Sequence, residues 1–588
     1  MPNVFALPVE HSARGNCTAS NVCAASWRRS KFIVIMATRG DLTAIRSALL
    51  LSCSVALAVY LVQRRRRANA STEPTPHPKE PKPRIHACDA SATAAAQRHE
   101  ALCNHLALSI GMDHARRLVS SLREPPRTTT IRVNLPRASR ADARVALQGS
   151  LPPTLHAALQ DHPTLDDMLC LPLSGPHARP LLPKLVAVDR ACAEAVLRGA
   201  DVFAPGVLGC SADIEAGDTV SVVTVDPMVT DMETSRGAKL VPSDAHTPSA
   251  WVHVGNGISD LGRRDLFPRH DSDYVAVTGV AVRMGGRKYD GAALSGACEG
   301  VCFLQNAPSA LAVHLLDPQP GDRVLDMCCA PGGKTTHIAQ MMWWRAMEQG
   351  RVGTSRDEAG VQSSVQSSVQ SSVGSSVGSS VFTNDVAAAD DPNIHIGCVV
   401  ALDRSKARLS SVDALAARLG VGPIVKCVHL DATKTAKQLA TRLADRRYTP
   451  PYDRVLLDPP CSALGQRPRL ALTASVDELR SCGRYQKRLV ECAAELLAPG
   501  GLLVYSTCTL SAEENENVVA YALRECGVRL RLRPIPARYA GLGGRGWAGC
   551  GLSEEECTMV VRFDPSTGEG DGSIGFFVAC LERVDEVG

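Results

Sequence analysis

In the second half of the chain, apolar positions fall into short unbroken runs. Residues 323–327 (RVLDM), 398–402 (CVVAL), 426–430 (KCVHL), 454–457 (RVLL) and 502–506 (LLVYS) are such runs, each followed by an acid, a turn or a polar stretch. Runs of this length mark strands buried on both faces, as in a parallel sheet covered by helices. The first run leads into a tight turn, 328–334 (CCAPGGK), and then a helical stretch at 335–344. Strand, glycine turn, helix is the layout with which doubly wound α/β sheets hold anions and nucleotides. Residues 576–581 (FFVACL) supply a further strand expected to close the sheet. Residues 511–514 (SAEE) have the letters of a capping box and predict a helix start running through Val519.

Upstream the pattern changes. Residues 87–122 predict two short helices, the EPPR at 124–127 breaks them, and 128–135 (TTTIRVNL) is strand-like, giving a small α/β region to about residue 180. From residue 183 onward, short strands alternate with glycine-rich turns: 185–188, 219–225 (TVSVVTV), 251–254 and 274–283. A helix at 189–198 is stopped by Gly199, and Pro205-Gly206 makes a turn. This predicts a small β-barrel of roughly 100 residues. The basic clusters Arg263-Arg264 and Arg283, Arg287-Lys288 would face RNA if the barrel binds one, although charge runs are usually solvated faces.

The chain has 588 residues and a net charge of +4, unevenly spread. Residues 1–84 carry +9 and the remainder −5. Nucleic-acid binding by the body of the protein must therefore rest on local features, not on global charge. The 22 cysteines show no paired zinc spacing and several sit in apolar runs, which indicates a reducing compartment, buried thiols and no metal site. Residues 42–62 are apolar and are followed by Arg64–Arg67, but after Arg46 the run is shorter than the ~20 residues a bilayer span needs. A membrane anchor, an organellar targeting segment and an inert tail stand as equal readings, so the expected location is cytoplasmic, with membrane or organellar placement through this segment. The expected domains are a tail at 1–85 ending in a Pro-rich linker, a small α/β region at 86–180, the barrel at 181–285 and the doubly wound domain at 286–588. The last carries an insert at about 345–392, whose core, 361–381, repeats Val, Ser, Gln and Gly and reads as a disordered surface loop.

Three successive strands end in acids: Asp403, Asp431 and Asp458. Acids at the carboxyl edges of neighbouring parallel strands converge on one crevice, and one at the second strand commonly accepts from ribose hydroxyls. The insert accounts for the long gap between the glycine turn and Asp403. The chain has no P-loop motif. The glycine turn at 328–334 also lacks GxGxxG, which argues against a hydride cofactor; GLGGRG at 541–546 matches it by letter but has no strand leading into it and no helix opening from it, and reads as a loop. Asp458 is followed by Pro459, Pro460 and Cys461, and the strand at 502–506 by Thr507, Cys508 and Thr509. Amino-group methyltransferases carry a base-stacking aromatic after the Pro-Pro pair, so a cysteine there points to covalent chemistry at a pyrimidine C5, where a thiolate adds at C6. On chemistry alone either thiol could attack.

The stretches DMCCAPGGKTTHIAQ, ALDRS, DPPCSALGQRP and YSTCTLSAEENE together resemble the NSUN (Sun-domain) family of S-adenosylmethionine-dependent RNA cytosine-C5 methyltransferases. A fainter echo lies at 131–134 (IRVN). Residues 181–285 resemble a PUA domain through VLRGADVFAPGV, AGDTVSVV and VGNGIS, an architecture similar to the tRNA-acceptor subfamily. The resemblance implies a Rossmann-like methyltransferase domain preceded by a PUA-like barrel and a small α/β domain. It implies that Cys328, Cys329, Ala330, Pro331, Gly332, Gly333 and Lys334 form the methionine-side turn. Asp403 would bind the ribose and Asp431 the adenine, while Asp458 would line both cofactor and target base. Attack falls to Cys508 and release to Cys461. Two positions depart from the family: Cys329 stands where Ala is usual and Ala463 where Gly is common. The expected partner is a tRNA, met at its acceptor and CCA end by a monomer. A ribosomal RNA substrate, or a silent RNA-binding role, is the alternative. DNA is not expected, because no target-recognition domain follows the catalytic motifs.

Overall fold

The computed structural model describes residues 93–584, apart from 232–233, 242–249, 271–272, 275–276, 293, 295, 351–395 and 568–571. The tail at 1–85, its segment 42–62, the Pro-rich linker and the repeat at 361–381 lie outside the described residues. Among the described residues, no helix is long and apolar enough to cross a membrane.

The unbroken apolar runs form the sheet they predict. Its strands lie in the order Val425–His429, Cys398–Asp403, Arg323–Asp326, Tyr452–Leu457, Leu497–Thr507, Phe576–Arg583 and Leu530–Leu532. The first five are parallel and the sixth is antiparallel to the fifth. This is a Rossmann-like methyltransferase sheet. The chain reverses its direction of winding at Arg323–Asp326, so the carboxyl ends of that strand and its neighbours open onto the binding crevice. Phe576–Arg583 does not close the sheet as expected. It lies inside, with Leu530–Leu532 and Val560–Phe563 sharing its outer edge. One face is covered by Ala307–Leu316 and Gly333–Glu348, the other by Ala436–Ala444 and Val476–Leu496. Ala307–Leu316 is buried all round, as its near-absence of polar residues demands.

The PUA-like part is a seven-stranded sheet over its own core, with Leu185–Val188 and Thr219–Val225 where the pattern puts them. Its last long strand is Val280–Arg287, while Asp273–Tyr274 pairs only with Arg269–His270. The expected strand at 274–283 is thus split and shifted, because Gly279 at φ +92° turns the chain there. The basic clusters are divided. Arg263 donates to the carbonyls of Cys210, Gly237 and Ala238, and Arg287 to Asp201, whereas Arg264 and Arg283 are exposed, Arg283 pairing with Asp260 at the surface.

The small N-terminal region is continuous with the catalytic domain, and the expected boundary at 285/286 is crossed. Thr128–Val133 pairs on one side with Met168–Pro172 and on the other with Cys302–Leu304, beyond the barrel. The helices Ala94–Ile110 and Met112–Ser121 share one apolar core with Leu464, Leu479, Leu510 and Trp547 of the catalytic domain. Arg467 is buried, with Nε donating to the carbonyls of Ser121 and Glu124, and Nη1 to those of Gly572 and Ser573. Leu470 enters the barrel core, and its N–H is held by Glu194 of the barrel helix Arg190–Leu197 at 2.9 Å.

The expected capping box at 511–514 does not form. Ser511 Oγ is buried without a partner, a single 3₁₀ turn spans Ala512–Glu514, and the helix begins at Glu516. Glu516 is fully buried against Arg562, which donates to both carboxylate oxygens and to the Leu510 carbonyl and stacks on Trp547 at 3.7 Å. Arg562→Met should therefore destabilise the protein by about 3–5 kcal/mol, because it leaves a carboxylate buried and unpaired. Chemical denaturation checks this, and the double change with Glu516→Gln should be milder than Arg562→Met alone.

Candidate active site

The two cysteines come together. Cys461 follows the strand Tyr452–Leu457, Cys508 follows Leu497–Thr507, and their sulfurs are 3.4 Å apart. Adjacent parallel strands place the loop ends side by side, but a contact this close needs a further tie, and Glu514 supplies it. Its buried carboxylate accepts from the N–H (2.9 Å) and Oγ (2.5 Å) of Ser462, next to Cys461, and from Oγ1 of Thr509 (3.1 Å), next to Cys508. Gln486 donates both to Glu514 and to the Pro460 carbonyl. The 513–514 backbone lies close against the helix Val476–Leu496 at Gly483, where a Cβ would stand 2.4 Å from the Glu513 carbonyl oxygen. Glu514 was hidden in the sequence by the capping-box letters. Its acid three residues after a serine serves the loops instead.

The thiols are not equivalent. Lys334 lies on the Cys508 side and Glu514 on the Cys461 side. The hydrogen bond from Cys461 lowers the Cys508 thiol and burial opposes this; a hydrogen bond from Gln466 adds to the lowering, Asp458 works against it, and Lys334 makes the smallest lowering contribution. Cys461 is pushed well above its ordinary value by the same hydrogen bond and by burial. The sulfurs are at hydrogen-bonding distance, and these opposite directions make Cys461 the donor and Cys508 the acceptor.

A cavity of about 380 Å³ holds both cysteines together with Cys328, Ala330, Pro331, Lys334, Asp403, Asp431 and Asp458. Cys329 and Gly333 line an adjoining cavity of about 580 Å³ that shares Cys328, Ala330, Pro331, Lys334 and Asp458 with the first. Gly332 lines neither. It sits at φ +103° with its Cα toward Val412 and Leu415, so it shapes the turn rather than touching its contents. Asp458 accepts from Lys334 Nζ at 2.8 Å and from Ser506 Oγ at 2.9 Å. Burial works against the Lys334 charge, but Asp458 outweighs it and the amine is raised.

The crevice fits a nucleoside-linked methyl donor. Asp403 Oδ1 is fixed by the Ser405 N–H and Arg408, which leaves Oδ2 for a ribose diol. Asp431 Oδ1 accepts from the N–H and Oγ1 of Thr433 at the rim. Asp326 adds a group that the sequence reading passed over, although it too ends a strand. Its Oδ2 accepts from Thr335, while Oδ1 is buried without a partner beside the turn, where an ammonium would satisfy it. Burial raises this carboxyl to about 7.

Comparison with known proteins gives the same assignment. The family model described as 16S rRNA methyltransferase RsmB/F matches residues 313–361 and 391–582, and a PUA domain model matches 184–228. A human protein named tRNA (cytosine(72)-C(5))-methyltransferase NSUN6 is 35% identical over 76% of this chain and 82% of its own. The chain belongs to the RsmB/F, or Sun-domain, methyltransferase family. An Arabidopsis thaliana protein named rRNA (cytosine-C(5))-methyltransferase NOP2C is 32% identical over 80% of this chain and 88% of its own. A crystal structure titled NSun6 from Pyrococcus horikoshii with SFG superposes with a TM-score of 0.59 at 27% identity, covering 83% of this chain and 98% of that one. As in its family, S-adenosylmethionine is the methyl donor of this enzyme.

Both departures from the family pattern have a physical reading. Cys329 is buried in the core, where its thiol is raised by burial and serves as a small apolar side chain. Ala463 stands at φ +56°, the left-handed region that glycine occupies without strain. Ala463→Gly should raise stability by up to about 1 kcal/mol by removing that strain. An increase in melting temperature with unchanged methyl transfer checks this.

Proposed function

We propose that this methyltransferase acts on tRNA, at cytosine C5 near the acceptor end, through a covalent bond between Cys508 and C6. The observation that carries the reading is the 3.4 Å thiol pair in the cofactor cavity. Bound S-adenosylmethionine supplies an electrophilic methyl group. The Cys508 thiolate, held by the Cys461 S–H and Lys334, adds to C6, and the ring electron pair moves to C5, which takes the methyl group. Asp458, held by Lys334 and Ser506, faces the N3 edge of the ring and assists addition by hydrogen bonding to N3 when that edge is protonated. A base then removes the C5 proton, the C5–C6 double bond re-forms, and Cys508 leaves as a thiolate. Cys461, in contact with the departing sulfur, promotes this release.

The tRNA reading is supported by the names of the NSUN6 relatives and by the PUA-like barrel. The acceptor-end reading is supported by a cavity of about 550 Å³ where the barrel meets the N-terminal region. Arg179 and Lys288 line it beside Trp251, while Arg123, also in the lining, is paired with Asp226. Cations next to an aromatic ring are chemistry that suits unstacked nucleotides. The second reading, a ribosomal RNA substrate, is favoured by the name of the Arabidopsis relative. A monomer with a cytoplasmic location belongs to the same proposal, with residues 42–62 serving as membrane anchor, targeting segment or inert tail.

Cys508→Ala should abolish both methylation and any covalent RNA adduct. Cys461→Ala should accumulate a denaturation-resistant adduct, visible as a shifted band on denaturing gels. Because Cys461→Ala removes the donor that lowers the Cys508 thiol, adduct formation in this variant should rise with pH along a limb displaced upward from wild type. An adduct in Cys508→Ala and none in Cys461→Ala would reverse the roles. Trimming the CCA end from a tRNA substrate should cut methylation at least about tenfold, the scale of losing one well-made contact, while cofactor binding is unchanged. Equal rates on trimmed and intact tRNA favour the ribosomal reading.

A further inference from the structure

Outside the crevice, a buried polar cluster joins three distant segments. Asp167, in the N-terminal region, lies between His314 of Ala307–Leu316 and His337 of Gly333–Glu348, and all three are buried. Asp167 Oδ1 meets His314 Nε2 at 2.8 Å, and Oδ2 meets His337 Nε2 at 2.5 Å. These are hydrogen-bond lengths. A metal between such atoms would hold them further apart, and no fourth ligand is at hand among the described residues. From His337 the chain of contacts continues. Gln305 Nε2 lies 3.2 Å from His337 Nδ1, and Gln305 Oε1 accepts from Arg132 Nη1 at 2.5 Å. Arg132 Nη1 also donates to the Gly333 carbonyl at 2.6 Å, and Nη2 to Thr336 Oγ1 at 3.0 Å. Thr336 in turn donates to the Gly332 carbonyl at 2.8 Å.

One assignment of protons satisfies Asp167, both imidazoles and Gln305. An ionised Asp167 can only accept, so both imidazoles present Nε2–H to it and keep Nδ1 as an acceptor. His314 Nδ1 then accepts from the Tyr539 hydroxyl, and His337 Nδ1 from the Gln305 amide N–H. That fixes the Gln305 amide with its oxygen toward Arg132. Burial lowers His337 to about 4, which keeps it neutral. Burial alone would raise Asp167, but the two imidazoles hold it well below the usual carboxylate range. The result is a one-way line of donors from Arg132 to Asp167. We infer that Asp167 is a positioning residue for the cofactor turn, setting through His337, Gln305 and Arg132 where the Gly332 and Gly333 carbonyls stand. This rests on the reading that the turn holds S-adenosylmethionine.

The change Asp167→Leu tests the line with an apolar side chain of the same branching. An asparagine there could turn its NH₂ to His314, whose Nδ1–H the Tyr539 hydroxyl would accept, and leave the line intact. With leucine the His337 Nε2–H loses its acceptor, and the other tautomer would force the Gln305 amide to turn its NH₂ toward the Arg132 guanidinium. Gln305→Glu in the same chain gives an acceptor to both His337 Nδ1–H and Arg132, so the double variant restores the end of the line that holds the turn. Calorimetric binding of S-adenosylhomocysteine should weaken about tenfold or more in Asp167→Leu, the scale of a mispaired buried group. At saturating S-adenosylmethionine, kcat should fall much less than KM rises, and the double variant should bind more tightly than Asp167→Leu. Unchanged binding in Asp167→Leu, or a double variant no better than the single one, overturns the inference. If Asp167→Leu does not fold, recovery of fold and binding in the double variant supports it and no recovery overturns it. Failure of the wild-type protein to bind S-adenosylhomocysteine would instead strike at the turn reading itself.

Discussion

Two thiols close enough to share a proton need their backbones held to within a few tenths of an ångström, and here one buried carboxylate does the holding. Glu514 binds the residue after each cysteine and shares Gln486 with the Pro460 carbonyl. Burial raises its pKa, and the donors around it oppose that rise. A buried carboxylate with four donors is costly to leave unpaired, so the loops are fixed with respect to each other as firmly as a core would fix them. The asymmetry of the pair follows from the same arrangement. Glu514 raises the Cys461 thiol, while on the other side Gln466 and Lys334 lower Cys508 against Asp458, so the hydrogen bond between the sulfurs runs from Cys461 to Cys508.

The rest of the molecule is tied to this site by arginines. Arg467 fastens the first two helices to the loop at 572–573, Arg562 pins the helix after the Cys508 loop, and Arg132 reaches from the N-terminal sheet to the glycine turn. Each guanidinium is buried and its bonds are mostly to backbone carbonyls or carboxylates, the work that a planar fork of five donors is suited to. The N-terminal region is in consequence part of the catalytic body rather than an accessory.

The doubly wound sheet was legible because burial on both faces writes itself into the chain as unbroken apolar runs. The crevice was legible because strand-end acids and the glycine turn are local signals, and Asp403, Asp431, Asp458, Cys461 and Cys508 do share one cavity. What escaped are groups whose partners are far away in sequence. Asp167 is one of two adjacent acids in an unpatterned stretch, and its imidazoles come 147 and 170 positions later. Glu514 carries the letters of a helix cap, yet its partners Ser462 and Gln486 lie on other segments, and tertiary bonding outweighs the local option. Arg263 read as a surface charge, solvated or facing RNA, for the opposite reason: charge is visible in a sequence, whereas the carbonyls that satisfy it are not.

The pairing of Thr128–Val133 has a mechanical consequence. The chain departs for the barrel from Met168–Pro172 and returns along Cys302–Leu304, the two strands that flank Thr128–Val133. At ordinary strand spacing those two anchor points are roughly 10 Å apart. A module carried on a single linker can swivel, but one whose entry and exit are stitched into the same small sheet, with Leu470 plugged into its core, cannot. The span from barrel to thiols is then a fixed length. On the proposed acceptor-end reading, that fixed length is what sets which cytosine reaches Cys508 from an RNA end held by the barrel.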